Sequence, residues 1–84
     1  ADNCQYWIGE VYYARADYRR SIIEFEKVSS FLGTNKSDDA QLKLGLCYMN
    51  IGQIERAKQE FTILLELYPN SEYHQRANEY LRQL

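Results

Sequence analysis

Eighty-four residues leave room for one small domain or a piece of a larger protein, and 45% hydrophobic with 26% charged residues is the make-up of a folded chain. A net charge of −2 with both signs interspersed offers no basic surface for nucleic acid. No apolar run nears the roughly eighteen residues that a membrane-spanning helix requires, and no basic-then-apolar opening marks a signal peptide. The chain opens directly in amphipathic sequence, as an excised fragment would, so a longer parent protein is expected. Aromatic residues are abundant at 14%, which suits a short chain that must bury area with few side chains.

Residues 3–15 carry apolar side chains at 4, 7, 8, 11, 12 and 14, the spacing of a helix with a broad buried face. Ala16-Asp17 breaks the pattern, and the Asp17 carboxylate is placed to cap the next helix. Residues 18–31 set Tyr18, Ile22, Phe25, Val28 and Phe31 on one stripe; Gly33-Thr34-Asn35 is a turn cluster, after which Ser37 or Asp38 supplies a cap. A third helix is expected over 38–51, ended by Gly52 in a left-handed conformation, and a fourth over 54–68, stopped by Pro69. Asn70-Ser71 then caps a last segment, 72–83, whose Tyr73, Ala77, Tyr80, Leu81 and Leu84 lie along the preceding pair. Short loops make neighbouring helices antiparallel.

The first two helices return in the next two at a fixed offset. Gly9, Tyr12 and Phe25 recur as Gly45, Tyr48 and Phe61, each thirty-six residues on, and Gln5/Gln41, Arg20/Arg56 and Glu24/Glu60 keep the same step. Such a period marks stacked supersecondary units, each of which buries its apolar face only against the next. Gly9 and Gly45 would let two helices approach closely, with Ser21 and Ala57 opposite and the Tyr12, Phe25, Tyr48 and Phe61 rings filling the space between.

The spacing resembles the tetratricopeptide (TPR) repeat. Leu44-Gly45, Tyr48, Gly52, Ala57, Phe61 and Tyr68-Pro69 fit its second copy. Ile8-Gly9, Tyr12, Tyr18 and Phe25 fit the first, with Ser21 in place of alanine, Ala16 in place of the turn glycine and Thr34 in place of the closing proline. The resemblance implies an all-α, right-handed superhelix: repeat one over 2–35, repeat two over 38–70 and a capping helix over 71–84, together a single domain. The strings Tyr6-Trp7-Ile8-Gly9-Glu10, Leu42-Lys43-Leu44-Gly45 and Tyr68-Pro69-Asn70-Ser71 further resemble the C-terminal TPR domains of the TolA-binding periplasmic family of the Tol-Pal system. That likeness implies a periplasmic location, TolA as partner, a trimerising coiled coil in the parent, and a part in coupling cell-wall synthesis to outer-membrane constriction during division.

In the family the first helix of each pair lines a concave groove. Carried over by position, the partner-binding residues are Tyr6, Glu10, Tyr13, Leu42, Leu46, Met49 and Asn50, with Asn78 and Arg82 from the last helix. Tyrosine, leucine and methionine there suit a site that grips a helix or an extended peptide. The alternative is that they cover a neighbouring repeat. Family members that clamp a C-terminal carboxylate use lysine and asparagine where this chain has Tyr6 and Glu10, and a lone glutamate would repel that anion.

Other residues point to no chemistry. Cys4 and Cys47 form no CxxC motif and fall seven residues out of step in the repeat, a separation of ~10 Å along parallel helices, so both are expected as buried free thiols. The single histidine, His74, is expected in solvent, and Trp7 is read as a packing residue unless it faces an absent repeat. With no nucleophile–base pair, metal cluster or phosphate loop, neither a catalytic role nor a cofactor is expected. The rival to a groove binder is a structural or self-associating module of another envelope lipoprotein or assembly factor, forming homo-oligomers through its open ends.

Overall fold

The computed structural model describes residues 2–30 and 36–84. Among them run five helices: α1 (Asp2–Ala14), α2 (Tyr18–Ser29), α3 (Ser37–Asn50), α4 (Ile54–Leu67) and α5 (His74–Gln83). Phe31 and the Gly33-Thr34-Asn35 turn lie outside the described residues. The fold is an all-α helical repeat, as the spacing predicts.

Each helix packs against the next in the chain, α1 on α2, α2 on α3, α3 on α4 and α4 on α5. Side-chain bonds then tie alternate helices together. The Tyr6 hydroxyl donates to Asp39 Oδ2 at 2.6 Å, joining α1 to α3. Arg56 Nη2 reaches Glu26 Oε2 at 3.8 Å, joining α4 to α2. The result is two layers, with α1, α3 and α5 in one and α2 and α4 in the other.

Residues thirty-six apart occupy matching surroundings. A Cβ built on Gly9 would meet the edge of the Phe25 ring, and one built on Gly45 the same edge of Phe61. Both phenylalanines are fully buried, as are Ser21 and Ala57 behind them. Ser21 uses its hydroxyl by donating to the Gly9 carbonyl at 2.9 Å, which explains why serine is tolerated where the second copy has alanine. Gln5 Nε2 donates to Glu24 at 2.8 Å, and Gln41 Nε2 to Glu60 at the same distance. Arg20 lies over the Tyr12 ring and Arg56 over the Tyr48 ring.

The turns inside the two pairs also match. Asp17 N donates to the Tyr12 carbonyl at 2.9 Å, and Gln53 N to the Tyr48 carbonyl at 2.9 Å. This geometry needs a left-handed residue, supplied by Gly52 at φ 83° and by Ala16 at φ 61°. A Cβ in that region crowds the following carbonyl and costs roughly 1–2 kcal/mol. Ala16→Gly is therefore expected to raise the urea midpoint, with a gain of about 1 kcal/mol after the glycine's added unfolded-state entropy is set against the relieved strain.

Several expectations need correction. Asp17 occupies the N-cap position of α2, but its carboxylate makes no capping bond and instead lies 3.6 Å from Arg20. Helix α3 begins at Ser37 after Lys36, with no side-chain cap; Asp38 Oδ1 accepts from the Asp39 amide, one residue on, at 2.9 Å. Helix α5 begins at His74, two residues late, because Ser71 forms a turn of its own, accepting from Tyr73 N at 3.0 Å. Cys47 is buried, whereas Cys4 is exposed, and both are free thiols. His74 is half-buried at the start of α5, and Trp7 is 56% exposed, not packed in a core.

Candidate functional site

The layer of α1, α3 and α5 carries the residues that the sequence points to, arranged around a polar seam between α1 and α3. Tyr6 lies in the seam with 4% of its surface exposed. Its hydroxyl, donating to Asp39, also sits 3.4 Å from Glu10 Oε2. Asp39 further takes the Tyr73 hydroxyl at 3.4 Å, while Ser71 Oγ donates to Asp38 at 2.5 Å, so the start of α5 is drawn onto the first turn of α3.

One turn along, Lys43 Nζ pairs with Glu10 Oε1 at 2.5 Å. The pair is mostly shielded from water, at 19% and 28% side-chain exposure. The ammonium also lies within 5.9 Å of the Tyr6, Tyr13 and Phe25 ring centres, where their negative π faces attract it. The Glu10 charge is thus answered within the fold, and the repulsion expected from a lone glutamate is largely offset.

Past the ion pair the seam turns apolar. Tyr13 is half-buried, edge-on to Tyr18 with ring centres 5.4 Å apart. Leu46 and Met49 are half-buried and rest on the core. Asn50 is exposed at the end of α3, its side chain donating to the Leu46 carbonyl at 2.8 Å. On α5, half-buried Asn78 and exposed Arg82 stand one turn apart, and Arg82 makes no ion pair among the described residues. Leu42 is different: at 1% exposure it belongs to the core, and with Tyr6 it shapes the face from beneath.

Burial raises the acid constants of the phenols here. Tyr6 is raised well above the ordinary tyrosine value by burial first and by its bond to Asp39 second. Tyr13 is raised by burial, with the Asn50 contact opposing, and Tyr73 by burial and then by the Asp39 charge. Burial pushes the Cys47 thiol up to about 11. These groups stay neutral through the physiological range, so the Tyr6 and Tyr73 hydroxyls serve as hydrogen-bond donors to Asp39 and not as switches.

One contributor, Lys43, was not picked out from sequence, whereas Tyr80 was expected to lie along the preceding helix pair and does. Tyr80 stacks on Phe61 with ring centres 5.2 Å apart and so seats α5 against the second repeat. Lys43 had a legible signal. Contacts between consecutive first helices recur at a spacing of 33, as Tyr6–Asp39 and Glu10–Lys43 do, one helical turn short of the repeat. Pairing opposite charges at that spacing would have found it.

The opposite layer has another character. A shallow depression on the outer side of α4 is lined by Glu55, Lys58, Gln59, Thr62 and Ile63, with Lys58 and Glu55 paired at 3.5 Å. Among the described residues no group of three or more histidine, cysteine and acidic side chains could hold a metal ion, and no helix is long and apolar enough to cross a membrane.

Compared with known families, residues 39–71 match the family model of the tetratricopeptide repeat. That span runs from the first turn of α3 to the Ser71 turn. No curated protein matches the chain. The protein therefore contains a tetratricopeptide repeat, a helical module that generally mediates protein–protein interaction.

Proposed function

We propose that this repeat-bearing protein binds a segment of another protein along the α1–α3–α5 face. The observation that carries the reading is the seam itself. Bonds from Tyr6 to Asp39 and from Glu10 to Lys43 lock α1 beside α3, and the face they create leaves Tyr13, Leu46 and Met49 partly open beside polar Asn50. Half-open aromatic and flexible apolar side chains with a few polar groups fit a helical or extended peptide. The role is one of binding and not of catalysis.

At a finer level we place the chain in the periplasm, with TolA as partner and the Tol-Pal division machinery as context. The support is the likeness of the Tyr6–Glu10, Leu42–Gly45 and Tyr68–Ser71 strings to that family. Titrating purified TolA into the fluorescently labelled chain tests both levels. Leu46→Asp is expected to weaken binding at least tenfold, since a charge would replace an apolar anchor. Because Leu46 also rests on the core, exposed Arg82→Glu is a second variant, and Thr62→Asp on the other layer should bind as the parent does. Unchanged affinity in both face variants would remove this face from consideration. Absence of TolA binding, with another envelope protein captured through the same residues, would keep the face and replace the partner.

A further inference from the structure

The outer edge of α1 carries a second surface, separate from the seam and independent of the reading above. Trp7, Ile8 and Val11 are 56%, 43% and 49% exposed, and Cys4 one turn earlier is exposed as well. Positions 4, 7, 8 and 11 fall on one helical stripe. An apolar stripe this continuous on an otherwise mixed surface marks an interaction site.

The same structure shows three of those four positions occupied one repeat on; the counterpart of Trp7 is Lys43, which pairs with Glu10 of α1. Thirty-six residues on, Cys4, Ile8 and Val11 become Ala40, Leu44 and Cys47, which are 0%, 2% and 0% exposed. They lie in the core shared with Ile22, Phe25 and Val28 of α2, the helix that packs against α3. The charges beside the stripe repeat too. Arg56 reaches Glu26 of α2 across the layer, whereas its counterpart Arg20, which lies over the Tyr12 ring, has among the described residues an ion pair only with Asp17, just before its own helix, and 69% of its side chain is exposed.

We infer that the outer edge of α1 is a docking site for an amphipathic helix supplied from outside these residues. That helix presents an aromatic–aliphatic stripe to Ile8 and Val11 and sets a carboxylate against Arg20, as α2 does toward α3 and α4. The site continues the α2–α3 interface one step outward. A second copy of this chain is the competing occupant.

A peptide of residues 17–30, held helical by a side-chain cross-link, is the probe, because in the structure that segment already fills the matching site. Trp7 is the sole tryptophan, so its emission reports the α1 edge alone. Adding the peptide to the full chain should shift Trp7 emission to shorter wavelength saturably, and Val11→Asp should abolish the shift. Arg20→Glu should weaken binding about fivefold, the scale of one exposed ion pair. A Glu26→Arg peptide should bind that variant better than the original peptide does. Three results would overturn the inference: no shift, a shift that survives Val11→Asp, or no recovery on charge reversal. A concentration-dependent Trp7 shift without peptide, with a doubled mass by light scattering, would assign the edge to a second copy instead.

Discussion

Phe61→Ala is expected to cost roughly 3–5 kcal/mol and to bring the protein near or below its folding threshold, seen as a broad or lost thermal transition by circular dichroism. The ring is fully buried, its edge fills the gap that Gly45 leaves in α3, and its face stacks on Tyr80. Removal opens a cavity where α3, α4 and α5 meet. A short chain has little stability in reserve against such a loss. Phe25→Ala should cost a comparable amount, since Phe25 fills the gap at Gly9 and lies against Tyr6 with ring centres 5.8 Å apart. A pair of mild effects, within 1 kcal/mol of the parent by urea denaturation, would mean that these rings are not what joins the helices (compare the usual range for buried aromatics).

Gly45→Ala makes the opposite error at the same contact. Its new Cβ would lie 2.7 Å from Phe61 Cδ1, well inside van der Waals contact, and the buried ring has nowhere to move. Overpacking of this kind costs roughly 1–3 kcal/mol, sometimes more, and exceeds the gain of about 1 kcal/mol in helix propensity. Gly9→Ala should be milder. Its new Cβ would lie 3.0 Å from Phe25 Cδ1, and α1 stands at the edge of the stack with an exposed outer stripe, so it can back away. Phe61→Leu combined with Gly45→Ala should recover part of the loss by vacating the ring edge. A Gly45→Ala protein more stable than the parent would show that the glycine serves the helix and not the contact.

Much of this architecture was legible because the chain states it twice. Gly9/Gly45, Phe25/Phe61 and Gln5/Gln41 repeat at one step, and the structure gives each pair the same partner. Gly52 marked its turn as a left-handed residue and is one, whereas Ala16, read as a departure from the turn glycine, takes the same left-handed conformation. The misses on burial share a cause. A repeat tells what kind of position a residue holds, not whether a neighbour is there to cover it. Cys4 and Val11 occupy positions whose counterparts in α3, Ala40 and Cys47, are buried in the core shared with α2, but on α1 they face outward, and so does Trp7. The caps failed for a different reason. Asp17 pairs with Arg20, while Asp38 and Ser71 bond each other and accept from the nearby Asp39 and Tyr73 amides, and a single sequence cannot rank these against the capping bonds. On the site, Tyr6 and Leu42 were marked from helical position alone. Their depth depends on how closely α1 and α3 approach, which Asp39 and Lys43 decide.

The claim that the α1–α3–α5 layer is the binding face is met most directly by amide chemical-shift mapping of the isotope-labelled chain as a bound partner segment is titrated in. The account predicts that the largest changes fall at Tyr13, Leu46, Met49 and Asn50, with Glu55, Lys58, Gln59 and Thr62 unmoved. Changes confined to the outer side of α4, with α1 and α3 silent, would contradict it.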